Sequence, residues 1–404
     1  MTSTSTPPAE ALEFFQRFVA QLKAHYPEAA AKYDFGARLS PNLVSFRTLE
    51  LPSSLADQAH EIVRAFSALR ELEDRDTKLS SESPAVTDGG NYSALMSYDF
   101  HVDENRNLRL IEINTNASLG LIMDVAHETQ QIPNRFSPDF KKTIVETFIS
   151  ELKLSGGTKL GGVAIVDENP AEQRLYAEFL LYKELFERAG AKAVIADPRD
   201  LKVTGGKLMA GEQTIDLVYN RHTDFYFTSP ECAPLREAME KKLACLSPHP
   251  HEYRLLADKE RLLELSQAGA VEALPLSDED KRVLRRALIR TLDVTKVADT
   301  ESLWRERKKL FFKPMRSFGG KAAYRGQSVS HSVFDQIVKG EYVAQDYVPA
   351  PTVKFGPTAE DEFKYDLRFF VYRDQIQLAC ARLYRGQMTN SQTLGGGASV
   401  IVWK

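Results

Sequence analysis

The chain has 404 residues, with 52 Lys plus Arg against 56 Asp plus Glu and a formal charge of −4. That length buries a large core and suits two or three domains, and the near-balanced charge lacks the basic excess that nucleic acid selects. No apolar run spans a membrane, residues 1–10 lack the cationic start and apolar run of a signal peptide, and Cys232, Cys245 and Cys380 lack paired zinc or disulfide spacing. The expectation is a cytoplasmic protein whose thiols are buried.

In chain order, residues 10 to about 80 read as mainly helical, with apolar positions at helical spacing over 56–75, followed by a loop over 81–90. Residues 98–114 read as two strands joined by a polar turn. The alternation over 109–114 puts Glu112 and Asn114 on one face, with Leu110, Ile111 and Ile113 in part on the other. With Asp99 they form a set of hard oxygen donors suited to Mg²⁺, although an ordinary hairpin with a solvated polar face fits this stretch alone equally well.

A new α/β unit begins at Gly161. Short strands are predicted over 163–166, 193–196 and 215–219, and an amphipathic helix over 172–189 ending at Gly190, an alternation that implies a parallel sheet. Asp167, Asn169 and Gln173 follow its first strand and Arg221 ends another. Open parallel sheets bind ligands beyond the carboxyl ends of their strands, and a carboxylate, amides and a guanidinium match an amino-acid headgroup. The competing reading is that 167–173 caps the following helix.

Farther on lies a helix around Lys259, then a cationic helix face over 281–290 that reads as solvated surface. Residues 310–324 are an apolar strand ending in Lys313, then a loop with Gly319 and Gly320 that can approach anionic oxygens, without Walker A spacing. Residues 341–349 read as a strand and bend, where the backbone of Ala344, Gln345, Asp346 and Tyr347 could face an adenine edge, or as a plain buried strand.

Together, Glu112-Ile113-Asn114-Thr115-Asn116-Ala117-Ser118-Leu119-Gly120, Asp216-Leu217-Val218-Tyr219-Asn220-Arg221, Ala257-Asp258-Lys259, Phe312-Lys313-Pro314 with Gly319, Gly320 and Tyr324, and Gly395-Gly396-Gly397-Ala398 resemble the ATP-grasp superfamily over nearly the whole chain. The metal strands precede the lysine loop, an order similar to the circularly permuted branch and to eukaryotic-type glutathione synthetases within it. The resemblance implies an α/β (α+β) ATP-grasp fold, circularly permuted. Residues 1–155 would hold the N-terminal helices and the metal strands. Residues 156–252 would be an inserted parallel α/β substrate-binding domain, and 253–404 a nucleotide-binding lobe with glycine-rich lid loops.

For the site, the resemblance implies ATP and Mg²⁺, the metal on Asp99, Glu112 and Asn114, and the nucleotide on Lys259, Lys313, Arg316, Gly319, Gly320, Lys321, Tyr324, Ala344, Gln345, Asp346, Tyr347 and Asp366. A γ-glutamyl substrate would lie on Ser118, Asp167, Asn169, Gln173, Arg221 and Arg382, with Arg382, Arg385 and Lys313 serving the chemistry. Small-molecule partners and a homodimer are also implied, with no nucleic acid and no membrane. Three departures stand out: Ser97 replaces an arginine, Ser317 replaces a metal-binding glutamate, and His222-Thr223-Asp224 replaces a tyrosine. Asp366 could replace the lost carboxylate, and Arg368, Arg382 or Arg385 the lost cation. The implied activity is an ATP-dependent carboxylate–amine ligase working through an acylphosphate. A phosphotransferase and a nucleotide-binding protein without catalysis are the alternatives.

Overall fold

The computed structural model describes residues 8–75, 86, 88–315, 322–390 and 393–404. Its centre is a six-stranded sheet in which the hairpin of Met96–Val102 and Leu108–Asn114 lies antiparallel to Glu362–Tyr372, followed by Gln375–Tyr384 and Gly397–Ser399, with Thr352–Lys354 also paired to Glu362–Tyr372. The hairpin turn is fixed by Asp103, whose Oδ1 accepts from the N–H groups of Asn105 and Asn107, both at 2.9 Å. One face of the sheet, carrying Tyr98, Phe100, Leu110, Leu367 and Phe369, packs against Leu55, Ile62, Val63 and Phe66 of the long helix Ser53–Arg75. On the opposite face, Phe370, Leu378 and Cys380 pack into the core shared with the helices Gly120–Gln130 and Phe140–Leu154.

The hairpin register holds a correction to simple alternation. Asp99 pairs with Glu112 but Phe100 pairs with Leu110, so Ile111 is an extra residue in its strand. Leu108 and Leu110 face the long-helix core before this bulge, and Ile113 faces it after. A bulge shifts the two-residue period by one, so Glu112 and Asn114 emerge on the face away from that core.

The 162–247 region forms a parallel sheet in the order Cys245–Ser247, Leu217–Asn220, Gly162–Val166, Lys192–Ala196. Its helix starts at Tyr176 rather than 172, because a 3₁₀ turn, Pro170–Glu172, occupies the preceding segment. That helix is buried around most of its circumference, which blunts the amphipathic pattern. A third, antiparallel sheet carries Thr291–Asp293, Tyr342–Asp346, Leu310–Pro314 and Tyr324–Arg325, its Leu310, Phe312 and Ala344 packing on Phe334 and Ile337. The expected cationic helix is Asp278–Ala287, with Arg285 and Arg286 paired to Glu272 and Glu61. All three cysteines are free and buried.

The glycine tail is not a lid. Gly397 has a φ of +102° and a Cβ there would lie 2.4 Å from the Asn42 carbonyl oxygen, while Ala398 N–H donates to Leu43 O at 3.0 Å. Here glycine permits close backbone approach, not mobility. Among the described residues no helix is long and apolar enough to cross a membrane.

Candidate functional site

A cleft of about 380 Å³ lies between the central sheet and the third sheet, within the range of small-ligand sites. Asp99, Glu112, Asn114, Asp366, Arg368 and Arg382 line one wall, and Lys259, Lys313, Gln345 and Val348 another.

On the first wall, Asp99 is 1% exposed. Arg368 grips it as a fork, Nε to Oδ1 at 2.8 Å and Nη2 to Oδ2 at 2.6 Å, and Arg382 Nη2 reaches Oδ2 at 2.9 Å. Burial pushes the Asp99 carboxyl up, but the two guanidiniums overcome it and hold the group at about 2. Arg382 also donates through Nε to Asp366 Oδ1 at 2.5 Å, and Thr389 Oγ1 donates to the other oxygen of Asp366. Asn114 Nδ2 lies 3.3 Å from Glu112 Oε1 and 3.4 Å from Asp99 Oδ2, which leaves the Asn114 carbonyl and the Glu112 carboxylate as neighbouring oxygen donors. Among the described residues no cluster of three or more His, Cys, Asp or Glu side chains could hold a metal. Two protein oxygens do fit Mg²⁺ when phosphates and water complete its shell.

On the second wall, Lys313 Nζ donates to the Ile111 carbonyl at 3.1 Å and to Gln345 Oε1 at 3.0 Å. The residue inserted by the bulge thus anchors the lysine of the facing sheet. Lys259 Nζ donates to Met315 O at 3.3 Å. Burial lowers both lysines from the usual ammonium range, opposed in each by the Glu112 carboxylate. At the bend, Asp346 N–H donates to Arg290 O and Tyr347 N–H to Lys309 O, so neither can read a ligand edge. The N–H of Val348 has no partner among the described residues, and its carbonyl lies 2.8 Å from His101 Nδ1, which must donate there because a carbonyl only accepts.

No family model matches the chain, and no curated protein matches it. Solved structures do match. A glutathione synthetase-like effector from Globodera pallida, in its apo form, has a TM-score of 0.54 at 11% identity, over 96% of this chain and 98% of that one. A putative γ-glutamylcysteine synthetase from Methylobacillus flagellatus has a TM-score of 0.51 at 10% identity, over 86% of this chain and 87% of that one. The chain shares its fold with these two proteins.

Within this fold, several expected residues meet. Asp99, Glu112, Asn114, Lys259, Lys313, Gln345, Asp346, Tyr347, Asp366 and Arg382 all line the cleft. Others do not. Arg385 turns away: its Nη2 donates to Glu360 O and its guanidinium lies 4.4 Å over the Phe363 ring. Tyr324 stacks near Tyr342 with centroids 6.4 Å apart, and Ala344 is buried in the third sheet's core. Arg316, Ser317, Gly319, Gly320 and Lys321 lie outside the described residues.

The residues expected to hold an amino-acid headgroup sit past the strand ends of the parallel sheet. Arg221, 7% exposed, donates through Nη1 to Ala117 O at 2.7 Å and to Asn116 O, and through Nη2 to Ser118 Oγ. It therefore pins the loop that directly follows Glu112 and Asn114. Asp167 is pushed up to about 6 by burial, with Arg221 opposing. Asn169 and Gln173 serve their own loop: Asn169 Oδ1 accepts from Arg199 Nη2 at 2.7 Å and Gln173 Nε2 donates to Glu168 O at 2.6 Å. The buried Glu178, which accepts from Leu119 and Leu121 N–H at 2.8 and 3.2 Å, escaped the sequence reading, as did Asp197, which accepts from Asn169 N–H at 2.7 Å. Both sit in ordinary helix or strand-end patterns that carry no signal of their own.

Proposed function

We propose that the chain is an ATP-dependent carboxylate–amine ligase of glutathione-synthetase type, joining a γ-glutamyl peptide or similar carboxylate to an amine. The carrying observation is the pair of half-buried lysines, Lys259 and Lys313, set across one cleft from Glu112 and Asn114, with Arg382 fixed between Asp99 and Asp366. The order of the metal strands before the lysine strand supports the circularly permuted reading, and the three-part division at 155/156 and 252/253 belongs to the same proposal.

The lysines would hold the nucleotide phosphates, and Val348 N–H would meet the base. Glu112 and Asn114 would hold Mg²⁺, which when bound draws charge from the phosphate oxygens. Asp99, already committed to two guanidiniums, would act by orienting Arg382 rather than as a ligand. A substrate carboxylate oxygen attacks the γ-phosphorus and ADP leaves. An amine nitrogen then attacks the acyl carbon, the acyl–oxygen bond breaks, and inorganic phosphate departs as the amine loses a proton. Arg382 would stabilise the charge that develops on the acyl oxygen.

The test is ADP and phosphate release from MgATP over γ-glutamyl peptides crossed with amino acids and polyamines, with Glu112→Gln as control. Release that needs both a carboxylate and an amine and yields an amide is expected. A stable phosphorylated product without amide would replace this reading with phosphotransfer.

A further inference from the structure

Arg221 is followed by the segment 222–229, which is tied to the parallel-sheet unit through Asn220, the helix Ala233–Glu240 and the buried Phe227, and braced within itself through His222 and Asp224. His222 N–H donates to Asn220 Oδ1 at 3.0 Å, Asp224 N–H to His222 Nδ1 at 3.0 Å, Ser229 N–H to Asp224 Oδ2 at 2.7 Å, and Arg236 to Phe227 O. Its tip reaches out of that unit. Phe225 stacks face to face on Tyr253, with centroids 4.1 Å apart and planes 5° apart, and Tyr226 OH donates to Asp258 Oδ2 at 2.5 Å.

Tyr253 and Asp258 are the two ends of one wide turn. Tyr253–Ala257 is a π-helical turn, an uncommon form that recurs at functional sites, and Asp258 N–H closes it on Tyr253 O at 2.8 Å. Asp258 then caps the next helix, its Oδ1 accepting from Glu260 N–H at 3.0 Å, and the first residue of that helix is Lys259. The loop therefore grips both ends of the turn that aims this lysine. A small recess of about 60 Å³ beside the main cleft is walled by Phe225, Tyr253, Thr115, Lys259 and Glu112, so the grip lies where the two ligand regions adjoin.

We propose that the 222–229 loop is a mechanical link between the strand ends at Arg221 and the cleft, with Tyr226 the positioning residue that sets Lys259 against the nucleotide phosphates. This rests on the reading of Lys259 as a phosphate lysine. Asn220, Arg236 and the buried Phe227 tie the loop to the parallel-sheet unit, so the Tyr226 hydroxyl transmits that unit's position to Lys259.

The experiment is a double-mutant cycle on MgATP affinity, measured by calorimetry on the full chain with Tyr226→Phe, Lys259→Ala and both. Tyr226→Phe is expected to weaken MgATP at least fivefold in the native background and to have no further effect once Lys259 is alanine. Wild-type affinity in Tyr226→Phe, or the same fold loss in both backgrounds, overturns the link. If Tyr226→Phe does not fold, Phe225→Leu in the same cycle decides, since it removes the stack on Tyr253. Wild-type protein that does not bind MgATP sinks the functional reading together with the link, whereas binding without coupling sinks the link alone.

Discussion

Asp99 and Asp167 are both buried carboxylates, and their surroundings move their protons in opposite directions. Asp99 is held at about 2, below its ordinary 3.8, so its contribution to stability is fully present above the unfolded value and is lost as pH falls through the folded one. The window is the fall from about pH 4 to pH 2, and the contribution is about 2 kcal/mol. Asp99→Asn leaves Arg368 without its counter-charge and Arg382 with Asp366 alone, and should cost about 3–5 kcal/mol at neutral pH. Urea unfolding across pH checks both, and an unchanged midpoint at pH 7 would remove Asp99 as the anchor of Arg382.

Asp167 runs the other way. Its folded value is raised to about 6, so the stability it offers is complete below the ordinary value and is lost as pH rises through 6. Asp167→Asn should therefore be more stable than wild type at pH 8, by about 2–3 kcal/mol, with the gap closing by pH 4. The ionised form left at pH 8 is the one a substrate ammonium would stabilise. No gap at pH 8 would show that the carboxylate carries no burial cost to be relieved.

At the scale of elements, the bulge at Ile111 lets Leu108 and Leu110 share a core face with Ile113 while Glu112 and Asn114 face the cleft. A chain lacking Ile111 should pair regularly with Glu112 still opposite Asp99 and both site residues still on the cleft face, but Lys313 loses the Ile111 carbonyl it donates to, so MgATP affinity should fall several-fold by calorimetry while folding stays cooperative. Wild-type affinity would mean that the extra residue does nothing for Lys313. The identity of Glu112 and Asn114 was legible because charged residues interrupt an apolar strand. The bulge was not, since an extra residue is defined only against a partner strand. The arginine pairs show the same limit. Asp99, Arg368 and Arg382 become neighbours through strand pairing across more than 250 residues of chain, which no local pattern encodes. Arg385 looked equivalent to Arg382 by nearness in sequence, yet it packs on Phe363. The glycine tail misled for a related reason, because glycine serves flexibility and close approach alike. Gly397→Ala, which forces a side chain onto the Asn42 carbonyl at positive φ, should cost about 1–3 kcal/mol in thermal or urea unfolding. A neutral substitution would restore the lid.

For the whole molecule, the cleft draws its walls from segments far apart in sequence, so a ligand in it bridges pieces that would otherwise separate on unfolding. MgATP at about a hundred times its Kd should add roughly 2.7 kcal/mol to stability by mass action, and Lys313→Ala should abolish most of that gain. Scanning calorimetry with and without MgATP reads the difference. Equal gains in the two proteins would take Lys313 out of the phosphate site. Three of the four strands of the parallel sheet, by contrast, were readable, because each is a short apolar run bounded by turn residues, whereas Cys245–Ser247 is too short to carry such a pattern.

The central sheet also sets a clock on biosynthesis. Met96–Val102 leaves the ribosome while its neighbour Glu362–Tyr372 is still about 260 residues from being made. At about 5–20 residues per second that is a wait of roughly ten to fifty seconds with one strand edge unpaired. Its other neighbour, Leu108–Asn114, arrives almost at once, so the early hairpin is half protected. The nascent chain therefore carries an open β edge through most of its own translation, and its yield should rise with the supply of chaperones that shield such edges.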